Sequence, residues 1–524
     1  MKIYKYDLNK LPHFSNLKEL VHMRETFANP IAFKYKEKGQ IKDISAAAWR
    51  QDIEALGTYL FSIGIRNSKV ALIGENSYQW ILSYFAVVNG GNVIVPIDKE
   101  LSDEDIVALI VQSGADALIY ADAYADVAQS IGHLKLLKMS GFNDYMHNGR
   151  NLIRDGNREF LDHEIDDHAL CSVIYTSGTT GTPKGVMLSH SNIASDTIGA
   201  CENVYISGDS MLTLPLHHTF AFTAGVAAMV LYGRTICINA SLRTFKEDLT
   251  VYRPQNIFVV PLYVDTMYKN IWDTSKRQHK DKLLKRMLTL SRALKKAGID
   301  IRKKLFKSVL EALGGNLDLI VSGGAPIHEK YIEFFYDIGV TVLNGYGITE
   351  CSPVVAVNRN KCFVTDSVGL ILSCNKVRVQ DGEVLVKGDN VMLGYYKDED
   401  ATAEAFADGW FRTGDLGYVR DDYLFITGRK KNLIILDNGE NVSPEELEGR
   451  IEDIPGVMEV VVYSERNAIT AEIYAQDAGG IQEKIMELNK TLPRYKQIQK
   501  VKFRDKEFEK TTTKKIKRTE INQC

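Results

Sequence analysis

The sequence predicts an α/β protein of more than one domain. A large N-terminal unit, in which mostly parallel sheets are layered with helices, is followed by a small α+β unit. Three observations carry this reading. Short apolar runs alternate with helical patterns along most of the chain. At 524 residues the chain exceeds what one hydrophobic core organises. After GRKKNLII at 428–435 the pattern changes character.

The strand-like runs come in order. VALIG at 70–74 precedes a segment beginning at Asn76, VIVPI at 93–97 precedes the helical pattern LSDEDIVALIVQSGA, and ALIYA follows at 117–121. LCSVI at 170–174 reads as a buried strand, and VMLSHSNIASDT after Gly185 reads as the opening of a helix. The rhythm resumes with TICI at 235–238, IFVVP at 257–261, LDLIVSGG at 317–324 and VTVLN at 340–344. Residues 1–428 are therefore one large unit and 429–524 a second, with a candidate hinge near Arg429–Lys431. In the second unit Ser443 is placed to cap a helix, with Pro444 in its first turn and Glu446 completing a capping box. Two strand-like runs, VMEVVVYSE and AITAEIYA, then a helix at about 480–491, complete it.

Bulk properties narrow the class without naming an activity. A formal net charge of -3 excludes a generally basic nucleic-acid binder. The most apolar run, TFAFTAGVAAMVLYG at 219–233, falls short of the roughly 18 residues that span a membrane. The N-terminal residues lack the apolar core of a signal peptide. Seven cysteines, none in a CxxC pair, argue for a reduced, cytoplasmic setting. His217 and His218 are adjacent on an extended segment, which directs them to opposite faces and disfavours a shared metal ion. No GxSxG elbow supports hydrolase chemistry.

The stretch TSGTTGTPKG at 176–185 has the composition of a phosphate-binding loop. It is no Walker A motif, because Pro183 and Gly185 flank Lys184, and no GxGxxG is present, because Glu350 stands where the third glycine of Gly345 and Gly347 would fall. On composition alone a flexible linker fits as well. The order of motifs decides. TSGTTGTPKG is followed by PLHH at 215–218, SGGAP at 322–326, NGYGITE at 344–350, GYY at 394–396, WFRTGDLG at 410–417, GRKKNLI at 428–434 and KTTTKKIKR at 510–518. This succession resembles the adenylate-forming superfamily of acyl-CoA and aryl-CoA synthetases, adenylation domains and firefly luciferase. Within it the chain looks most like bacterial long-chain fatty acid–CoA ligases.

The resemblance implies a small β-barrel-like subdomain in the large unit, a mobile C-terminal lid and a two-step reaction. A carboxylate attacks the α-phosphate of ATP, releasing pyrophosphate, and a thiol then takes the acyl group from AMP. It implies that Thr176, Ser177, Gly178, Thr179, Thr180, Gly181 and Lys184 hold the β- and γ-phosphates. Asn344, Gly345, Tyr346 and Gly347 belong to the nucleotide site, with Tyr346 against adenine. Thr349 contacts phosphate and Glu350 holds Mg²⁺. Gly324 and Ala325 let the ligands pass close to the backbone. Asp415 accepts the ribose hydroxyls and Arg429 donates to the same ribose. His218 forms a wall between carboxylate and thiol. Lys431 is the hinge, and Lys515 bridges the carboxylate and the α-phosphate; the glycine usual before that lysine is replaced here by Lys514.

The cofactors and co-substrates implied are ATP, Mg²⁺ and coenzyme A, and the partner is a small-molecule carboxylic acid. A medium- to long-chain fatty acid is the expected substrate, because the basic stretch before SGGAP resembles a segment of the long-chain ligases. The run 215–236 fits an acyl tunnel and a buried helix equally. Three alternatives stay open: an aryl or branched acid, loading of a carrier-protein phosphopantetheine, and a non-catalytic ATP-binding protein. Residues 269–307 carry fourteen Lys and Arg against three Asp and read as amphipathic helix. Two readings fit that stretch, a solvated helical face and peripheral contact with an anionic membrane at the inner face of the cell.

Overall fold

The computed structural model describes residues 10–176, 183–239, 241–436, 440–475, 477–510 and 516–518. Two compact units emerge, one of residues 1–376 with 387–411 and one of residues 377–386 with 412–524. The smaller unit thus takes in 377–386 and 412–428 besides the segment after 429.

The larger unit holds two sheets built from the runs that alternate with helices. In the first, Leu170–Thr176, Val93–Pro96, Lys69–Ile73, Ala117–Tyr120 and Lys135–Lys138 lie parallel. Lys184–Ser189 and then Gly394–Tyr395 add antiparallel at one edge. In the second, Thr341–Gly347, Leu319–Ser322, Asn256–Val259, Ser210–Leu212, Ile236–Ile238 and Ile31–Glu37 run parallel in that spatial order. Antiparallel strands Val354–Val357 and Gly369–Ile371 continue beside Thr341–Gly347. The central parallel strands, such as Lys69–Ile73, Ala117–Tyr120, Asn256–Val259 and Leu319–Ser322, are buried on both faces, which is why they read as apolar runs. The outer parallel strands Lys135–Lys138 and Ile31–Glu37 are partly exposed.

Two local expectations change, at the loop after Thr176 and in the basic stretch, and the buried-helix reading of the run at 215–236 holds. The loop after Thr176 does not lead into a helix: Lys184–Ser189 is a strand paired with Leu170–Thr176, and the helix begins only at His190. The antiparallel register of Lys184–Ser189, with Val186 opposite Ile174 and Leu188 opposite Ser172, makes it a strand. The run Thr219–Leu231 is a fully helical stretch containing a π-helical turn at Thr223–Ala227, and nearly all of it is buried. The basic stretch is not one helix. Pro261–Arg277 ends before His279, which takes a positive φ of 55°, and Asp281–Lys296, Arg302–Leu305 and Lys307–Glu311 follow. No helix among the described residues is long and apolar enough to cross a membrane.

The larger unit also stores a pH dependence. His190 is buried, and its Nδ1 accepts the Leu17 backbone N–H at 3.3 Å. Burial lowers its pKa to about 4 against the opposing pull of Asp167 and Asp166. A depressed histidine contributes stability above its unfolded pKa and loses it as pH falls toward the folded value. Wild type is therefore expected to lose about 2 kcal/mol through this group between pH 7.5 and 5. Denaturant unfolding at both pH values checks this: the loss should shrink in His190→Gln, and an unchanged loss would clear His190.

The smaller unit has its own core. A ribbon of Asn375–Gln380, Glu383–Gly388, Trp410–Arg420 and Tyr423–Arg429 belongs largely to it. A three-stranded sheet, Val457–Glu465, Ala468–Ala475 and Lys500–Arg504, packs with helices Pro444–Glu452 and Ile481–Thr491 around Leu447, Ile451, Val462, Ile469 and Ile473. The helix opens at Pro444 as the sequence predicts, but the capping box does not form. The Ser443 hydroxyl donates to the Thr427 carbonyl at 2.8 Å, and Glu446 pairs with Lys496 at 2.6 Å.

Candidate active site

Neighbouring parallel strands of the second sheet end in the predicted motifs. SGGAP follows Leu319–Ser322, NGYGITE closes Thr341–Gly347, and PLHH follows Ser210–Leu212. Ser322 pairs with Asn344 and with Val259, and Leu212 pairs with Phe258, so the register sets these ends side by side. The carboxyl ends of parallel strands are where open sheets bind ligands. Exposure changes at the right place: Val342, Leu343 and Asn344 are buried, whereas Gly345 through Glu350 are half-exposed. Two glycines have defined reasons. Gly324 takes φ +81°, a left-handed conformation, and a Cβ on Gly347 would lie 2.3 Å from the Pro353 carbonyl oxygen. The Asn344 side chain is turned to structure, donating to the Ser367 carbonyl at 3.2 Å.

The histidine pair departs from expectation. The two rings lie together, centroids 4.0 Å apart, rather than on opposite faces. The chain turns there, with the His218 N–H donating to the Pro215 carbonyl at 3.1 Å. The turn is held by Asn76, whose amide donates to Leu214 O at 2.8 Å and accepts from Leu216 N at 3.0 Å. Burial, then the neighbouring His218 and Lys99, keep the His217 pKa well below the usual histidine value. His217 Nε2 lies 3.3 Å from Asp98. His218 lines a narrow apolar cavity with Tyr84, Ile174, Leu188, Leu216 and Phe222, with room for about one water molecule. The Tyr84 and Phe222 rings, both in its wall, stack on each other with centroids 3.9 Å apart. Among the described residues no group of three or more His, Cys, Asp or Glu is placed to hold a metal.

Thr176 and Lys184 face each other as a register pair at the mouth of the loop, whose residues Ser177, Gly178, Thr179, Thr180 and Gly181 lie outside the described residues. Lys184 Nζ sits 5.0 Å over the ring of Tyr395. The Tyr395 hydroxyl donates to Glu350 Oε1 at 2.9 Å. Among the described residues no cation pairs with the Glu350 carboxylate. An oxygen donor whose charge is left uncompensated suits a hard divalent cation such as Mg²⁺.

In the smaller unit, Asp415 and Arg429 are direct partners across the ribbon, Arg429 Nε 2.9 Å from Asp415 Oδ1. Asp415 is buried and Arg429 half exposed. The loop before Asp415 is set by Glu383, a residue that sequence reasoning passed over. Its buried carboxylate accepts from Lys430 Nζ at 2.8 Å, Arg412 Nη2 at 3.2 Å and the Gly414 N–H at 3.2 Å. Burial raises the Glu383 pKa, yet the two cations outweigh it and the net shift is downward. Lys431 is exposed on the single turn Lys430–Asn432, and its pKa is lowered, first by desolvation and then by Arg429. Lys515 lies outside the described residues, but the chain is anchored on both sides of it. Lys510 and Ile516 form an antiparallel bridge, Lys517 N donates to Glu509 O at 2.8 Å, and Arg518 pairs with buried Glu448.

Comparison with known proteins agrees with these motifs. The family model described as AMP-binding enzyme matches residues 23–396. The long-chain-fatty-acid–CoA ligase FadD15 of Mycobacterium tuberculosis is 30% identical over 454 residues, covering 80% of this chain and 75% of that protein. The long-chain-fatty-acid–CoA ligase 6 of Rattus norvegicus is 29% identical over 435 residues, covering 72% and 61%. Among solved structures, the ATP-bound MatB of Rhodopseudomonas palustris superposes with a TM-score of 0.77 at 24% identity, covering 97% of this chain and 98% of that one. The Mycobacterium tuberculosis fatty acyl CoA synthetase gives 0.68 at 23% over 97% of both chains. With the motifs at the ends of adjacent strands and a family match over most of its length, this chain belongs to the AMP-binding enzyme family.

Proposed function

We propose that the protein activates a medium- to long-chain fatty acid with ATP, as acyl-AMP and pyrophosphate, and transfers the acyl group to coenzyme A. The observation that carries this is the meeting of Glu350 and Lys184 at one tyrosine, an anion with no ion-pair partner among the described residues beside the lysine that follows the glycine-rich stretch. Similarity to ligases of long-chain fatty acids supports the substrate class.

In this reading Lys184 and the loop hydroxyls hold the β- and γ-phosphates, and Thr349 contacts phosphate. Bound at Glu350, Mg²⁺ supplies neutralisation of phosphate charge. Tyr346 lies against adenine, and Gly324, Ala325, Asn344, Gly345 and Gly347 frame the nucleotide. Asp415 and Arg429 hold the ribose. Lys515 stabilises the charge that develops as the carboxylate attacks the α-phosphate. His218 walls the carboxylate from the thiol, and a turn about Lys431 serves the second step.

The test is pyrophosphate release with ATP and Mg²⁺ across a panel of carboxylic acids, each with and without CoA. Turnover that peaks on a fatty acid and requires CoA is expected. Adenylation without acceptance by CoA points to a carrier protein, a peak on an aryl acid overturns the substrate class, and silence on every acid overturns the ligase reading.

The basic stretch adds a proposed partner, an anionic lipid surface. On helix Asp281–Lys296, Leu283 and Leu290 are 53% and 49% exposed, and Lys282 and Arg286 are exposed beside them. Residues seven apart share a helical face, so apolar side chains and a cationic rim coincide. The protein is expected to co-sediment with vesicles containing an anionic phospholipid and to release as salt rises. Leu283→Ser with Leu290→Ser should weaken binding; absence of binding at every salt concentration returns the stretch to a solvated face.

A further inference from the structure

The GYY motif at 394–396 carries no role in the reaction described above, yet its first tyrosine touches two of the residues that do. We propose that Tyr395 is a positioning residue for the adenylation step, holding the metal-binding carboxylate and the loop lysine in one arrangement. This rests on the reading of Glu350 as the metal ligand and Lys184 as a phosphate ligand.

The side chain meets them through different parts. Its hydroxyl donates to Glu350 Oε1 at 2.9 Å, and its ring lies under Lys184 Nζ at 5.0 Å. A phenol is a neutral donor, so it orients the carboxylate without cancelling its charge, and it engages one oxygen while leaving the other available. A lysine or arginine in that place would hold Glu350 as an ion pair and compete with a divalent cation. The ring face suits the lysine for a parallel reason. It attracts a cation more weakly than a carboxylate does, so Lys184 is kept near the site and still released to phosphate.

The backbone fixes Tyr395 with respect to both partners. Gly394–Tyr395 pairs with the strand that begins at Lys184, Tyr395 opposite Val186, and Tyr396 N donates to Gly185 O at 2.7 Å. Three residues earlier, Met392 N donates to the Glu350 carbonyl at 2.8 Å. The Tyr395 N–H is itself taken by Thr402 Oγ1 at 2.8 Å, whose hydroxyl donates on to the Asp398 carbonyl. One short segment therefore binds the backbone of the metal residue and the backbone of the lysine strand, and sets Tyr395 between their side chains.

The experiment compares wild type, Tyr395→Phe, Tyr395→Leu and Glu350→Gln, each first shown to melt cooperatively. Mn²⁺ binding is followed by electron paramagnetic resonance in the presence of a non-cleavable α,β-methylene ATP analogue, and binding of inorganic tripolyphosphate is measured without metal. Tyr395→Phe, which keeps the ring, is expected to weaken Mn²⁺ by about 5–10-fold and to leave tripolyphosphate binding unchanged. Tyr395→Leu is expected to weaken both. Mn²⁺ affinity in Tyr395→Phe equal to wild type, with Glu350→Gln impaired, overturns the inference while sparing the metal assignment. Equal Mn²⁺ affinity in wild type and Glu350→Gln overturns the metal assignment and the inference together. An equal loss of tripolyphosphate binding in the Phe and Leu variants overturns the division of labour between hydroxyl and ring.

Discussion

Replacing Lys515 with alanine is expected to slow acyl-adenylate formation by about 10²–10³-fold, the usual cost of removing one donor to charge developing in a transition state. Thioester formation from a supplied acyl-adenylate and CoA should stay within about twofold of wild type, because the bond to phosphate is already made when that step begins. Single-turnover measurement of each half-reaction separates the two, and an equal loss in both would refute the assignment. Lys514→Ala is the control. The anchors at Lys510, Ile516 and Arg518 lie outside the substituted positions, so either variant keeps the flanking chain in place. If Lys514→Ala shows the loss instead, the register of the motif is shifted by one.

Asp415→Ala is expected to lower kcat/KM for ATP by on the order of 10²–10³, since it removes charge-assisted hydrogen bonds to the ribose. The fold should tolerate the change. Asp415 is buried, but its partner Arg429 is 44% exposed and is left to water rather than stranded in the core. The decisive comparison uses 2′-deoxyATP and 3′-deoxyATP. Wild type should discriminate against both, and the variant should discriminate markedly less, keeping only what Arg429 supplies. Discrimination as strong in Asp415→Ala as in wild type would show that Asp415 does not read the ribose.

What could be read in advance followed from interactions close along the chain. Apolar runs such as 117–121 and 317–324 became buried parallel strands because burial on both faces leaves no polar alternation to obscure them. The helix at Pro444 begins where proline belongs, but the fate of the Ser443 hydroxyl depends on Thr427, a residue of the strand Tyr423–Arg429. The glycine-rich stretch after Thr176 predicts a helix beyond it because such turns often lead to one; the pairing of Val186 with both Ile174 and Tyr395 makes Lys184–Ser189 a strand instead. The roles of Asn76, of Glu383 and of Tyr395 in the GYY motif are not legible in the sequence for one reason. An asparagine before a helix, a glutamate after a turn and a tyrosine in a short strand are unremarkable locally, and their meaning comes from partners far along the sequence.

The smaller unit draws on two separate stretches of chain, and this governs how it can be exchanged between relatives. A graft that swaps only the terminal stretch carries Arg412 and Lys430 into the new host while their counter-charge, Glu383, stays behind with the donor. The host must then supply its own acid at that place, or two cations are left facing each other beside the turn that presents Asp415. Chimeras cut at paired junctions, one set around 377–386 and one at 412, keep the charge triad intact, so the ribbon and the tail behave as a single heritable part.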